Sequence, residues 1–268
     1  MDEHIPIMSR RKLLESAGAM AVGIAMATYP TPAVARVWSR HYDTVVKMPA
    51  TLKVYRNGTG KVYFAPHHSE TTCVEAARAV MKKRGGKLVQ IINGGRRDII
   101  FRLSGVEYGF DPNRIFTEAG IKATLANKQI RGNYSPETYR AVYEFAEQVL
   151  FSLREMRVGP LIALHNNTPG AYSMLSYAPG GKLAGQASDF NVNKDMSPDD
   201  FFLVTTRRFF ARLKAAGYNV VLQSRAKMVD DGSMSVYCAL WGIPYINVEA
   251  QSGHLAVQTK MLEALSSI

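Results

Sequence analysis

Short, wholly apolar runs that alternate with longer amphipathic stretches are the feature that most constrains this chain. Residues 136–157 repeat apolar side chains at the spacing of a helix, and residues 161–164 follow as a continuous apolar run. Residues 220–222 and 244–248 are similar runs. A strand that is apolar on both faces is covered on both faces. The pattern therefore predicts an α/β fold with a mixed, largely buried central sheet flanked by helices.

Further elements follow from the same periodicity and from turn residues. Asn57-Gly58 is typical of a hairpin turn, and Gly85-Gly86 stops a helical pattern. Ser197-Pro198 resembles a capped helix start with acidic residues behind it. The predicted strands are 51–56, 61–64, 88–92, 99–101 and 235–240, and the other predicted helices are 71–84, 197–216 and 255–265, after a lead-in over 36–48.

The amino-terminal segment has the pattern of a twin-arginine export signal. Arg10-Arg11 stands before a modestly apolar stretch of small residues, and Ala33 and Ala35 supply a cleavage site. An uncleaved amphipathic helix is the alternative. We expect residues 1–35 to be a signal peptide, and residues 36–268 to form a single catalytic domain that is periplasmic or extracellular.

The net charge limits the binding partners that this chain can have, and the number of cysteines limits its disulfides and metal sites. The chain carries a formal net charge of +11, but its basic residues are scattered and lack interleaved aromatic residues. That pattern disfavours nucleic acid and suits an anionic envelope polymer or membrane surface. Cys73 and Cys238 could form a disulfide in an oxidising compartment or be buried apolar residues, and two cysteines are too few for a zinc-cysteine site.

Polar residues stand at the ends of several predicted strands. His67 and Glu70 occupy the turn between a strand and a helix, and His165 and Glu249 end two later strands. The carboxyl ends of strands form the binding sites of α/β sheets. Two histidines and a glutamate make the donor set of a catalytic zinc site, although a polar rim of the sheet would show the same residues.

The order of these motifs resembles the zinc carboxypeptidase superfamily, particularly its succinylglutamate desuccinylase and aspartoacylase branch. The resemblance is carried by His67-x-x-Glu70, by Asp111-Pro112-Asn113-Arg114, by His165 and by Glu249, and it spans about residues 61–262. It implies a zinc carboxypeptidase-like fold that binds one zinc ion through His67, Glu70 and His165.

The same resemblance assigns roles to other residues. Asn113 and Arg114 would hold a substrate carboxylate, and Glu249 would be the catalytic general base. Arg97 would polarise the scissile carbonyl, with Arg96 and Arg102 as alternatives. The family often adds a substrate-binding tyrosine, for which Tyr172, Tyr177, Tyr237 and Tyr245 are candidates. His68 is expected beside the ligands without binding metal, and His254 at a helix start next to the site.

The expected function is that of an exported zinc hydrolase, which cleaves an amide bond next to a free carboxylate. It would be a metallopeptidase of the carboxypeptidase type that acts on cell-wall or environmental peptides, or a deacylase of N-acyl amino acids. Its partners would be such a substrate and the twin-arginine export machinery. A non-catalytic binding domain of the same fold is the alternative. A serine hydrolase is disfavoured, since the sequence has no Gly-x-Ser-x-Gly motif.

Overall fold

A computed structural model describes residues 35–41, 44–157 and 159–267. The described residues belong to one compact unit. The predicted signal peptide lies outside the described residues except for Ala35, which begins the first strand. None of the helices that the structure describes is both long enough and apolar enough to cross a membrane.

The described residues form eleven strands and six α-helices. The strands are β1 (Ala35–His41), β2 (Thr44–Asn57), β3 (Val62–Ala65), β4 (Gly86–Ile92), β5 (Ile99–Leu103), β6 (Val106–Phe110), β7 (Leu161–Asn167), β8 (Ala187–Asn191), β9 (Phe201–Val204), β10 (Val220–Gln223) and β11 (Tyr245–Gln251). The helices are α1 (Thr71–Arg84), α2 (Glu118–Ala126), α3 (Pro136–Met156), α4 (Arg207–Ala215), α5 (Met234–Leu240) and α6 (Leu255–Ala264).

Nine of these strands form one mixed sheet in the order β1-β2-β4-β3-β7-β11-β9-β10-β8, while β5 and β6 form a small antiparallel sheet. The central strands β4, β3, β7 and β11 run parallel to one another, and β9 and β10 run antiparallel to β11. Helices cover both faces. The predicted mixed α/β fold with a buried central sheet is therefore confirmed.

Two apolar clusters hold the sheet between its helices. One contains Phe145 and Val149 of α3 and reaches β5 and β6, and the other contains residues of α1, α4 and α6. Cys238 belongs to the first cluster and Cys73 to the second, and both are buried free thiols. The two cysteines act as small apolar core residues here.

The predicted hairpin across Asn57-Gly58 is wrong, because β4 lies between β2 and β3. β4 pairs antiparallel with β2 and parallel with β3. Gly85 ends α1 at a φ of 72°, and a Cβ atom there would lie 2.2 Å from the carbonyl oxygen of Thr59. This close approach lets the chain leave α1 against the 57–60 turn and enter the sheet between the two earlier strands.

Two further element predictions are wrong. The region predicted as a helix over 197–216 contains β9, and α4 begins only at Arg207 behind its N-cap Thr206. Ser197 instead closes a turn, in which its hydroxyl accepts from the Asp199 amide at 3.3 Å. Residues 235–240, predicted as a strand, belong to α5, whose N-cap Ser233 accepts from the Val236 amide at 3.4 Å. The expected lead-in at 36–48 is part of β1 and β2.

Candidate functional site

The site begins where β3 gives way to α1. His67 follows β3 and is fully buried, and Glu70 is the N-cap residue of α1. The Glu70 carboxylate makes no capping hydrogen bond to the helix, so it is free to face the sheet. His165 lies within β7, the strand next to β3, and is buried as well. The sheet thus brings together three residues that are distant in sequence.

The geometry of these residues fits a metal ion. One ligand atom from each of His67, Glu70 and His165 lies within 4.8 Å of the other two. His67 Nδ1 is 2.8 Å from Glu70 Oε1, and His165 Nδ1 is 3.3 Å from Glu70 Oε2. Two imidazole nitrogens and one carboxylate are the protein ligands of many catalytic zinc sites. We call these three residues the ligand cluster.

Asp111 orients the first histidine of the cluster. Its carboxylate accepts a hydrogen bond of 2.8 Å from His67 Nε2, and the other ring nitrogen, Nδ1, lies 2.8 Å from Glu70 Oε1. Thr124 accepts from the Asp111 amide at 2.9 Å and fixes that backbone. A carboxylate behind a ligating imidazole sets its tautomer and raises its basicity. The sequence showed Asp111 only as part of an acidic turn, and the strand that ends directly before it, β6, was not among the predicted strands.

The electrostatics of the cluster favour a bound cation. Burial by itself lowers the pKa of His67, but the Glu70 and Asp111 carboxylates outweigh it and raise that pKa to about 9. Burial alone would raise the pKa of Glu70, yet His67 and His165 hold it well below its ordinary value. The buried carboxylates therefore stabilise positive charge at His67, and a metal ion would take that place while displacing a proton.

Arg97 is the arginine that reaches the cluster. Its guanidinium contacts Glu70 through Nη1 and lies 3.3 Å from Asp111 Oδ2 through Nη2. Burial lowers the pKa of Arg97, and the two carboxylates more than compensate and raise it. Of the alternatives, Arg96 does not line the cleft, and Arg102 pairs with Glu107 at 3.2 Å on the small sheet. The structure therefore brings Arg97, and neither of the others, to the cleft.

His68 has a structural contact that explains its place beside the ligands. Its Nδ1 accepts hydrogen bonds from the backbone amides of Asn93 at 3.0 Å and Gly95 at 2.8 Å. These residues lie in the loop between β4 and β5 that carries Arg97. The loop turns through Gly94 and Gly95, both at positive φ, which a larger side chain adopts at a cost. His68 thus fixes the loop from which Arg97 reaches the cluster.

Glu249 stands opposite His165 on the neighbouring parallel strand. The two residues are register partners in β11 and β7, and Glu249 is 5% exposed. Asn247, two residues earlier on the same face, donates from Nδ2 to Glu249 Oε1 at 3.0 Å. Burial raises the pKa of Glu249 above its ordinary value, more than His165 and Asn247 lower it. A buried carboxylate with a raised pKa is well matched to proton transfer near neutral pH.

Asn113 and Arg114 lie on the opposite wall. Asn113 Nδ2 is 3.5 Å from His165 Nε2, and Asn113 Oδ1 accepts from the Met234 amide at 3.3 Å. Arg114 pairs with Asp231, and its side chain is 38% exposed. Both residues line the same cleft as the ligand cluster. A guanidinium that is reachable from the cleft can bind a carboxylate through two nitrogens.

The cleft has a volume of about 600 Å³ and extends over one face of the sheet. Among the four tyrosines considered, Tyr172, Tyr177 and Tyr245 line it, whereas Tyr237 does not and packs against Phe116 and Trp241. The hydroxyls of Tyr172 and Tyr177 are 2.8 Å apart, and burial raises the pKa of Tyr177 to about 12. Both therefore stay neutral, and the hydroxyl that accepts in this pair keeps its own proton to donate to another group.

Two residues outside the motifs support the site from behind. Gln258 of α6 is fully buried and donates to the His165 carbonyl at 2.9 Å, which fixes the β7 backbone at the ligand. His254 is the N-cap residue of α6, as expected of a helix start, and its Nδ1 lies 3.0 Å from Asp200. His254 does not line the cleft.

Comparisons with known proteins give structural likeness only. No family model matches this chain, and no curated protein matches it. A succinylglutamate desuccinylase from Chromobacterium violaceum is 13% identical, with a TM-score of 0.40 over 82% of this chain and 65% of that chain. A succinylglutamate desuccinylase/aspartoacylase from Rhodobacter sphaeroides is 12% identical, with a TM-score of 0.39 over 88% and 64%.

A metallo-carboxypeptidase from Burkholderia cenocepacia is 11% identical, with a TM-score of 0.39 over 97% of this chain and 70% of that chain. This chain thus spans a little under two thirds of the length of the first two proteins. At these identities and TM-scores, the activity of the chain has to be argued from its own residues.

Proposed function

We propose that this protein is a zinc-dependent hydrolase that cleaves an amide bond next to a free carboxylate. The single observation that carries the proposal is the convergence of the ligand cluster, a buried glutamate and two arginines on one cleft. His67, Glu70 and His165 would hold one zinc ion. A zinc ion in such a site lowers the pKa of a bound water molecule toward neutrality.

Glu249 is the residue best suited to move protons in this cleft. Its carboxylate is held by Asn247 and stands level with His165 in the sheet. In the proposed reaction Glu249 removes a proton from the attacking water and delivers it to the leaving nitrogen. The amide carbon–nitrogen bond breaks, a carboxylic acid and an amine form, and the glutamate returns to its ionised state.

The two arginines would each stabilise a different negative charge, one the developing oxyanion and the other the substrate carboxylate. Arg97 lies beside the ligand cluster, where its guanidinium can stabilise the developing oxyanion. Asn113 lies next to His165, and Arg114 beside it can exchange its exposed partner Asp231 for the substrate carboxylate. A peptide carboxyl terminus and an N-acyl amino acid both present an amide bond next to a carboxylate, so metallocarboxypeptidase and deacylase activity are two forms of one proposal.

The test is a comparison of Glu249→Gln with wild type on carboxyl-terminal peptides and N-acyl amino acids. A general base contributes about 10²–10⁴-fold, which corresponds to about 3–5 kcal/mol of transition-state stabilisation. We expect kcat/KM to fall by that factor while the zinc content measured by elemental analysis stays near one per chain. Glu75→Gln, on the exposed side of α1, is the matched control.

Thermal stability distinguishes a catalytic role of Glu249 from a purely structural one. Because burial raises the pKa of Glu249, its protonated form is favoured in the folded protein, and the associated stability is lost as pH rises through that pKa. Glutamine never ionises, so Tm should not fall at neutral pH. Retention of more than about a tenth of wild-type kcat/KM would place the general base elsewhere, and a zinc-loaded wild type without turnover would favour a binding domain.

We further propose that the chain is exported by the twin-arginine route. The support is the Arg10-Arg11 pair with its apolar stretch and the small residues at Ala33 and Ala35. Replacing both arginines by lysine should retain the precursor in the cytoplasm, and the mature exported protein should begin at Arg36. Cell fractionation and amino-terminal sequencing would measure both outcomes. Normal export of the double variant would argue for another route.

A further inference from the structure

The helices on the two faces of the central sheet differ in charge. Helices α1, α4 and α6 pack on one apolar cluster, and α2, α3 and α5 pack on the other. Four basic residues and one acidic residue belong to α1, four basic residues to α4, and one of each kind to α6. By contrast, α3 contains four acidic and two basic residues, α2 contains one of each, and α5 contains none. The formal charge is therefore +7 on the first set of helices and −2 on the second. We call the surface of α1, α4 and α6 the basic face.

The basic residues of this face are accessible. All eight in α1 and α4 are exposed, and so is Lys260 of α6. Glu263 of α6 pairs with Lys83 at 2.8 Å, and Asp189 of β8 pairs with Arg207 at 2.7 Å. Ion pairs between exposed side chains are weak. Most of the positive charge of the basic face can therefore act on a partner outside the protein.

The order of the strands sets the extent of the basic face. Helix α1 connects the neighbouring strands β3 and β4, α6 packs against α1 and β11, and α4 packs on β9 and β10. Helix α6 therefore lies between α1 and α4. Packed helices are about 8–10 Å apart, so the two strongly basic helices are separated by about 16–20 Å. The positive charge is spread over a layer of three helices rather than along a single line.

The middle helix of the basic face adds apolar surface. Leu255 and Val257 of α6 are 39% and 36% exposed. Basic residues around exposed apolar side chains are typical of surfaces that lie on membranes. The aromatic residues of α4, Phe209 and Phe210, are buried, so they offer no ring on which a nucleic-acid base could stack. The basic face thus suits a lipid surface better than a nucleic acid.

The basic face and the cleft share no residue. No residue of α1, α4 or α6 lines the cleft, whereas Ser235 and Val236 of α5, on the other face of the sheet, do line it. A partner bound to the basic face therefore leaves the cleft open to substrate.

We propose that the basic face docks the protein on the surface of a bilayer that contains anionic phospholipids. Each basic residue close to such a surface increases the binding constant about fivefold. A bilayer presents negative charge over an area as wide as three helices, and the boundary of its acyl chains can receive Leu255 and Val257. None of the described helices can cross a membrane, so the protein lies on the bilayer. Docking does not depend on the proposed hydrolysis.

The test is co-sedimentation of the full chain with vesicles. Vesicles of phosphatidylcholine with about 30% phosphatidylglycerol are compared with vesicles of phosphatidylcholine alone, at about 0.1 M salt, where charges act over about 10 Å. We expect a partition coefficient at least about 100-fold higher for the anionic vesicles. Residues 1–35 are present in every variant, so their contribution cancels when variants are compared.

Replacing Lys82, Arg84, Arg208 and Lys214 by glutamine removes four charges from the basic face. At about fivefold for each residue, the partition coefficient for anionic vesicles should fall at least about 100-fold. All four residues are exposed, and substitutions at exposed positions change stability little. The pair in α1 and the pair in α4 are separate variants in case the fourfold variant does not fold, and each should lower the coefficient at least about tenfold.

Replacing Lys122, Lys128, Arg131 and Arg154 by glutamine is the matched control. These exposed residues belong to α2 and α3 or directly follow α2, on the other face of the sheet. The control lowers the net charge of the chain by the same amount as the basic-face variant. Its partition coefficient should stay within about threefold of wild type, because the removed charges lie away from the bilayer. Equal losses in the two variants would overturn the role of the basic face, as would equal binding of wild type to neutral and anionic vesicles.

Leu255→Ser combined with Val257→Ser separates a bilayer from a soluble anionic polymer. This variant loses apolar contact with the lipid, so it should bind anionic vesicles about fivefold more weakly than wild type. It keeps every charge, so it should bind heparin, a soluble polyanion, as wild type does. Binding of wild type to heparin without binding to vesicles would overturn the bilayer as the partner. Vesicle binding of this variant equal to that of wild type would overturn it too.

Discussion

Two groups of residues along the cleft satisfy their polar atoms in opposite ways. In the ligand cluster, His67 and Glu70 are held by each other and by their neighbours Asp111 and Arg97. Asn247 and Gln223, which also line the cleft, each keep a buried side-chain oxygen without a partner among the described residues. A permanent charge needs a permanent set of partners, because an unpaired buried charge is expensive. A neutral acceptor can remain unsatisfied at a more modest cost.

The proposed base connects the two groups. Glu249 and Asn247 lie two residues apart on β11, and the hydrogen bond between them orients the carboxylate of Glu249. The ligand cluster should govern whether the protein turns over substrate, and Arg114 on the cleft wall should govern how well it holds the substrate carboxylate.

The largest effect is expected from His165→Ala. This change removes one of three ligand atoms, so zinc content should fall from about one per chain to a small fraction. Turnover should fall by at least about 10⁴-fold, the upper limit of what one general base supplies. His254→Ala is the matched control, because His254 pairs with Asp200 at the start of α6 and does not line the cleft. Full zinc occupancy in an active His165→Ala protein would refute the cluster as the metal site.

An intermediate effect is expected from Asp111→Asn. The variant keeps the shape of the side chain but removes the charge behind His67, and partners of this kind contribute about 10- to 100-fold in metal affinity. Competition with a zinc chelator would measure the loss. Asp195→Asn, at an exposed position, should bind zinc as wild type does. If the affinity of Asp111→Asn is unchanged, the His67–Asp111 contact does not tune the site.

The smallest effect is expected from Arg114→Lys. A lysine keeps the positive charge but loses the planar fork that binds a carboxylate through two nitrogens. KM for free-acid substrates should rise about tenfold, with kcat changed less, since one bidentate contact is lost. Amidated substrates should be poor for wild type and variant alike. Equal cleavage of amidated and free-acid substrates by wild type would remove Arg114 from carboxylate recognition.

The periodicity of apolar residues was sufficient to predict an element where its segment had one unambiguous pattern. The helix ended by Gly85 and the long helix before residues 161–164 both lie where the sequence predicted them, because their apolar faces recur at helical spacing. The sequence also placed His67 after a strand and His165 on a later one, although β7 continues past His165 to Asn167, and the sheet brings the two residues together. Their metal-binding role, like that of Glu249 in catalysis, stays a prediction.

Sequence patterns did not predict the structure where contacts between residues distant in sequence determine it. Phe201 to Val204 form a strand because β10 and β11 flank them, although a capping pattern precedes them. The hydrogen bond of Asp111 to His67 joins residues 44 apart, and no local pattern marks it. Gln223 is a single polar residue at the end of an apolar run. The sequence does not show that its side-chain oxygen is buried without a hydrogen-bond partner among the described residues.

The insertion of β4 between β2 and β3 also has a kinetic consequence. Strands β2 and β3 are neighbours along the chain but cannot nucleate the sheet as a hairpin, because their shared partner is made only after α1. The parallel centre of the sheet starts instead with the crossover β3–α1–β4, and parallel pairing forms slowly because the loop must close before contacts stabilise it. His67 and Glu70 lie inside that unit, while His165 and Glu249 join it from far along the chain. Zinc uptake would then report the completion of folding rather than its beginning.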